Sequence, residues 1–178
     1  MDFKKLIRKR KPSEYFLYLG VIALGVFLDQ LTKWLAVEYL TKVTTVPIIK
    51  GVIHLTYLEN PGAAFGSFAD SPWVFNTVST VAIIAMLLYL FLGRSSTVLE
   101  AVSVAMIISG GIGNMIDRLS LGYVVDFIDF RLINFAVFNG ADSFVCVGAG
   151  LLILSLSLEL AREVKAERSH TKGGDGEN

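Results

Sequence analysis

Residues 71–93 read SPWVFNTVSTVAIIAMLLYLFLG, and no charged residue interrupts them. A helix needs about 20 apolar residues to cross the hydrocarbon core of a bilayer, and this stretch meets that length alone. It places the chain among membrane proteins, and the totals agree. Of 178 residues, 53% are hydrophobic and only 18% charged, whereas a soluble domain carries about a quarter charged. The length suits one integral membrane domain over 1–178.

Three more apolar stretches lie on either side, at 15–37, 100–117 and 142–159. Each reaches span length only if Asp29, Asp117 or Asp142 sits near an interface or in a polar cavity. The expected fold is therefore an all-α membrane protein with four transmembrane helices. Between the first two lies KVTTVPIIKGVIHLTYLENPGAAFG at 42–66, rich in Val, Ile and Thr. It predicts two or three short strands over 43–68, with a turn at Asn60-Pro61-Gly62, as a small extracytoplasmic β-sheet between helices 1 and 2. Residues 169–178, SHTKGGDGEN, predict a disordered tail.

Basic residues crowd the two ends. Lys4, Lys5, Arg8, Lys9, Arg10 and Lys11 precede the first span; Arg162, Lys165 and Arg168 follow the fourth; Arg94 lies between the second and third. The positive-inside rule puts both termini in the cytoplasm, and four spans agree with that. Trp34 and Trp73 then fall at outer ends of spans, where an aromatic belt forms. A cleaved signal peptide also begins basic and then apolar, but here DQLTKW follows, without a small-residue cleavage site. The charge pattern speaks against nucleic acid as a partner. Cys146 is the one cysteine, so no internal disulfide forms. The two histidines, His54 and His170, lie far apart, so neither a metal site nor a cofactor is expected.

This topology gathers the polar groups of the spans at the outer membrane face. Asp29 and Lys33 are one helical turn apart, acid first, the favourable order. Asn114, Asp117 and Arg118 end the third span, Asp126 follows, and Asn139 and Asp142 open the fourth. Ionisable groups inside a membrane are costly and are functional candidates by default. Structural alternatives stand beside each. Asp142 can cap its helix; Asp29–Lys33 can be a plain ion pair; Asn114 and Arg118 can anchor an interface. Cys146 suits packing better than nucleophilic attack, SGGIG at 109–113 suits close helix contact, and Asp129 suits an exposed interface charge.

Convergence favours chemistry. Asp126 and Asp142 in one low-dielectric site cannot both ionise readily, so they hold one proton between them. One can then act as base on a water while the other protonates a carbonyl oxygen, the logic of aspartic proteases. Two other classes remain open: an ion-coupled carrier with a carboxylate relay, and a structural membrane subunit. The carrier fits less well, because the acids cluster at one face and no inverted repeat is present.

These residues resemble the lipoprotein signal peptidases of bacteria, or signal peptidase II. The resemblance rests on LDQLTK at 28–33, ENPGAAFG at 59–66, GGIGNMIDRLSLGYVVDF at 110–127 and FNGADS at 138–143. It implies an aspartic endopeptidase of the cytoplasmic (inner) membrane, with its site near the outer face. Such an enzyme removes the signal peptide of a prolipoprotein just before a diacylglyceryl-modified cysteine. It implies Asp126 and Asp142 as the catalytic dyad. Asn60, Gly62, Asn114, Arg118 and Asn139 then line the site or bind substrate, and Asp29, Lys33 and Asp117 support it. The partners implied are prolipoproteins, membrane lipid and globomycin-type cyclic peptide inhibitors; the expected state is a monomer. Pro61 stands where the family more often has threonine, and Gly140 where it more often has an aliphatic residue. Both departures bear on loop shape and leave the carboxylates in place.

Overall fold

The structure, a computed structural model, describes residues 11–62, 72–93 and 97–174, with side chains described up to 165 and from 76 onward in the second helix. The chain runs α1 (Pro12–Leu40), β1 (Val46–Ile49), β2 (Ile53–Asn60), α2 (Pro72–Phe91), α3 (Val98–Ser120), β3 (Val124–Phe130), a 3₁₀ turn (Arg131–Ile133) and α4 (Gly140–Gly174). Pro12 opens α1 at the position where its missing N–H costs nothing. Thr97 caps α3 by accepting from the Glu100 N–H.

Among the described residues, three helices are long and apolar enough to cross a membrane: α1, α3 and α4. The uncharged stretch that opened the sequence does fold as a helix. Its apolar run is described only over Asn76–Phe91, shorter than a full crossing. Of the four expected spans, three are thus found at crossing length among the described residues, and a crossing by α2 is not shown.

Helix α3 is the centre of the bundle and packs against each of the other three. Its Ala101, Val104, Ala105 and Ile108 join Tyr18 of α1 and Ile83 and Leu90 of α2 in the main apolar core. Small residues let the backbones approach. A Cβ at Gly110 would strike the Ala141 carbonyl of α4, and one at Gly113 would strike the Asp29 carboxylate of α1. The small-residue stretch 109–113 therefore serves close helix contact.

The sheet has order β1-β2-β3, both pairs antiparallel. This corrects the expected location: two strands lie between α1 and α2, but the third comes from the link between α3 and α4. Physically, β2 has an edge to satisfy, and VVDFIDF is a short run of β-formers that pairs along it, from Ile53 with Phe130 to Asn60 with Val124. Val125 and Phe127 pack on Ala36 and Leu40 of α1 in a second apolar cluster, which ties the sheet to the end of the bundle. An irregularity between Leu55 and Leu58 sets three steps of β2 against two of β3, immediately beside Asp126. Such bulges re-aim side chains. The tight turn of the hairpin falls at Gly51, with φ +76°, while the expected turn at Asn60-Pro61-Gly62 follows β2, where the Gly62 N–H bonds to Asn60. The expected strand region beyond Gly62, Arg94, and the basic residues 4–10 lie outside the described residues. Helix α4 continues to Gly174, through much of the segment expected to be disordered. Residues 161–168, AREVKAER, are strong helix formers, so nothing there stops propagation.

Candidate active site

The polar residues singled out in the sequence meet where the C-terminal ends of α1 and α3, the N-terminus of α4 and strand β3 come together. Asp126 points from β3 and is 2% exposed. One of its oxygens accepts from Asn139 Nδ2 at 2.7 Å and the other from Asn60 Nδ2 at 2.9 Å. Asn60 also accepts the Gly62 N–H at 3.1 Å, which turns the chain just after β2. Asp142, in the first turn of α4, accepts from Asn114 Nδ2 at 2.8 Å and from the Asn139 backbone N–H at 3.2 Å. Asn139 Oδ1 in return accepts the Asp142 N–H at 3.0 Å. This reciprocal pair is a capping box. The cap and the site are therefore not alternatives: one oxygen of Asp142 caps, while the other turns toward Asn114.

Asn139 is fully buried and uses both amide hydrogens, on Asp126 Oδ1 and on Asn114 Oδ1, the latter at 3.0 Å. Asn114 Oδ1 also accepts from Lys33 Nζ at 2.8 Å. Two donors on that oxygen fix the amide so that its nitrogen faces Asp142. Lys33, 3% exposed, reaches Asp29 at 2.9 Å and Asp117 at 3.0 Å as well. The expected Asp29–Lys33 pair is thus a triad with Asp117, and all three ammonium hydrogens have acceptors. Arg118 Nη1 lies 3.4 Å from the Asn114 carbonyl, within the field of the Asp142, Asp126 and Asp117 charges.

One side chain escaped the sequence analysis, and another differs from its expected role. Gln30 Nε2 contacts Asp117, the Gly113 carbonyl and Asp29. A face argument built on Asp29 and Lys33 passes over it, yet it is a polar residue inside an apolar span, and that signal was available. Asp129 is not a free interface charge. By strand alternation it points away from Asp126. It accepts from Arg131 Nε at 2.7 Å and Thr56 Oγ1 at 2.9 Å. Burial works to raise its pKa, but these bonds and the Arg131 charge outweigh burial and hold it below its ordinary value. Cys146 is exposed rather than packed. At Gly140 a Cβ would sit 3.4 Å from Asp29 Oδ1, an ordinary contact, so a Cβ is tolerated there.

Burial pushes the Asp126 carboxyl up to about 6; the Asp142 charge adds to this, while bonds from Asn60 and Asn139 and the Lys33 charge oppose it. In the unfolded chain the group titrates near 3.8. Between about pH 4 and 6 the folded protein keeps a proton that the unfolded chain has lost, so stability falls as pH rises through that window and stays lower above it. The difference corresponds to about 3 kcal/mol. Asp126→Asn removes this loss. Its thermal midpoint in detergent, measured relative to the parent, is expected to climb from pH 4 to pH 8. A constant difference across that range would mean that Asp126 is not held against ionisation.

The chain is similar to known proteins over most of its length. A profile described as signal peptidase (SPase) II matches residues 21–158. A lipoprotein signal peptidase of Caldanaerobacter subterraneus subsp. tengcongensis is 49% identical over 132 residues, covering 74% of this chain and 90% of that one. Another, from Clostridioides difficile, is 46% identical over 138 residues, covering 78% and 93%. A solved structure described as a bacterial membrane enzyme aligns with a TM-score of 0.74 at 26% identity, covering 82% of this chain and 90% of that chain. Because the matched residues include the polar ends of α1, α3 and α4 together with β3, the chain belongs to the signal peptidase II family.

Proposed function

We propose that this protein is a membrane-embedded aspartic endopeptidase that removes the signal peptide from diacylglyceryl-modified prolipoproteins, cutting just before the lipidated cysteine. The observation that carries the mechanism is Asn139, which bonds to Asp126 through its side chain and to Asp142 through its backbone. One residue thereby holds two carboxylates from separate elements at one place. Of the pair, Asp142 sits in the first turn of α4, where the helix N-terminus favours negative charge. Asp126, pushed up to about 6, is the better holder of the shared proton.

Hydrolysis follows from that asymmetry. Asp142 takes a proton from a water, whose oxygen attacks the scissile carbonyl carbon, and Asp126 gives its proton to the carbonyl oxygen. The resulting diol collapses: the C–N bond breaks, Asp142 delivers its proton to the leaving cysteine nitrogen, and a diol hydroxyl returns a proton to Asp126. Asn114 and Asn139 hold the dyad, and family membership supports Asn60, Gly62 and Arg118 as residues that line the site or bind substrate. Asp29, Lys33 and Asp117 form the buried support. The clustering of these groups at one end of the bundle supports an enzyme over a carrier, whose relay would occupy the midplane.

The test is cleavage of two otherwise identical precursor peptides by purified protein in detergent, in the presence of a strong chelator. Burial contributes about 0.8 kcal/mol per methylene, so the diacylglyceryl form is expected to be cut at least tenfold faster (about 1.4 kcal/mol). Equal rates would remove the lipid from the recognition, and loss of cleavage in chelator, restored by a divalent metal, would sink the dyad mechanism.

The location that goes with this function is the bacterial cytoplasmic membrane, with both termini inside and the site near the outer face. The basic ends of the chain support it. A Lys50→Cys variant, with Cys146 replaced, is expected to react with an impermeant thiol reagent in intact cells. Reaction only after lysis would reverse the orientation.

A further inference from the structure

The two dyad aspartates are each preceded by a residue whose backbone N–H is held by a buried carboxylate. Asp29 Oδ1 accepts from the N–H of Ala141, just before Asp142, at 2.7 Å. Asp117 Oδ2 accepts from the N–H of Val125, just before Asp126, at 3.0 Å. Asp29 and Asp117 thus set where α4 and β3 present the pair. Lys33 pairs with both, yet an ammonium on a flexible stem is a point charge that does not fix how a carboxylate is rotated.

Gln30 does fix it. Its Nε2 lies 2.9 Å from Asp117 Oδ1, 3.1 Å from the Gly113 carbonyl and 3.2 Å from Asp29 Oδ2. All three neighbours are acceptors, so the amide nitrogen and not its oxygen must face them. The planar amide occupies Asp117 Oδ1 and leaves Oδ2 toward Val125. On Asp29 it shares Oδ2 with Lys33 and leaves Oδ1 toward Ala141. The Gly113 bond pins this amide to the backbone of α3, at a glycine where a Cβ would strike the Asp29 carboxylate of α1.

We propose that Gln30 is a positioning residue for hydrolysis, which sets the relative placement of Asp126 and Asp142 by orienting the two carboxylates, Asp117 and Asp29, that hold the preceding backbone N–H groups. This rests on the dyad assignment above. Gln30 touches neither substrate nor the reacting atoms. Its effect belongs on the chemical step, because small misplacements of reacting groups cost rate rather than binding.

Three variants test it: Gln30→Leu, Gln30→Glu and Asp126→Asn, each assayed on a diacylglyceryl-modified precursor with folded protein quantified. Gln30→Leu has similar size and no donor. Per folded molecule its kcat is expected to fall about 10- to 100-fold with KM within about threefold. Gln30→Glu presents a carboxylate to three acceptors when ionised and regains one donor when protonated. Its rate relative to the parent is expected to rise as pH is lowered from 8 to 5.5, whereas that of Gln30→Leu stays flat. A merely structural role would lower the folded amount and move neither kcat per folded molecule nor that pH ratio. If Gln30→Leu keeps the parent kcat while Asp126→Asn is inactive, the positioning role is wrong and the dyad stands. If Asp126→Asn keeps the parent rate, the dyad assignment fails and this inference fails with it.

Discussion

Replacing Asp126 or Asp142 by asparagine is expected to lower single-turnover cleavage of a lipidated precursor by roughly 10²- to 10⁴-fold, the range for losing one general acid or base. Asparagine keeps the size of the side chain and part of its hydrogen bonding. What disappears is the ionisation shared between two groups bridged by Asn139. Without an anionic Asp142 the water keeps its proton; without a protonated Asp126 the developing oxyanion stays charged in a site that disfavours charge. Asp129→Asn supplies the contrast. It lies three residues from Asp126 but points to the other side of β3, where Arg131 and Thr56 hold it. Its variant is expected to cleave within a few-fold of the parent, a change below the general acid–base range. Retention of more than about a tenth of the parent rate by either dyad variant lies outside that range, and so does an inactive Asp129→Asn. Either result would mean that the wrong carboxylates carry the chemistry.

The second large effect concerns the fold. Lys33 is 3% exposed, and its ammonium lies within 3.0 Å of both Asp29 and Asp117. Removing one member of a buried charge cluster costs about 3–5 kcal/mol, because the remaining charge is left uncompensated. Here two carboxylates would be left. Lys33→Met is therefore expected to lower the detergent thermal midpoint sharply, together with the yield of folded protein. Replacing the cluster whole, with Asp29→Asn and Asp117→Asn added, is expected to recover part of the loss, since neutral amides need no cation. A Lys33→Met protein as stable as the parent would show that the cluster is hydrated rather than buried.

Much of this site was legible because a lipid-facing chain makes polar residues conspicuous. Asp29, Lys33, Asn114, Asp117, Asp126, Asn139 and Asp142 stand out from apolar runs, and alternate crossing directions bring them to one end. Three features were missed or only partly read, each for a physical reason. Strand β3 was hidden because its partner, β2, lies more than sixty residues earlier, and pairing at that range leaves no local signal. Gln30, although visible as a polar residue in an apolar span, was passed over because helical face arguments weigh charged pairs four apart, whereas an amide at the edge of that face can reach two helices. Asp142 looked like a choice between helix cap and reacting group. A carboxylate has two oxygens, and Asp142 spends them on different partners. The extension of α4 beyond residue 168 shows the opposite bias: Gly and polar residues near a terminus suggested disorder, but the helix formers before them carry the helix on.

The central claim is that Asp126 and Asp142 work as one unit on one proton. The most direct test is the double variant Asp126→Asn/Asp142→Asn beside each single variant, in single-turnover cleavage of a diacylglyceryl-modified precursor with folded protein quantified. Groups that act as a unit are strongly non-additive, so the double variant is expected to cleave within a few-fold of the slower single variant. Losses that multiply, each variant subtracting its own factor regardless of the other, would mean that the two carboxylates act independently and that no proton is shared between them.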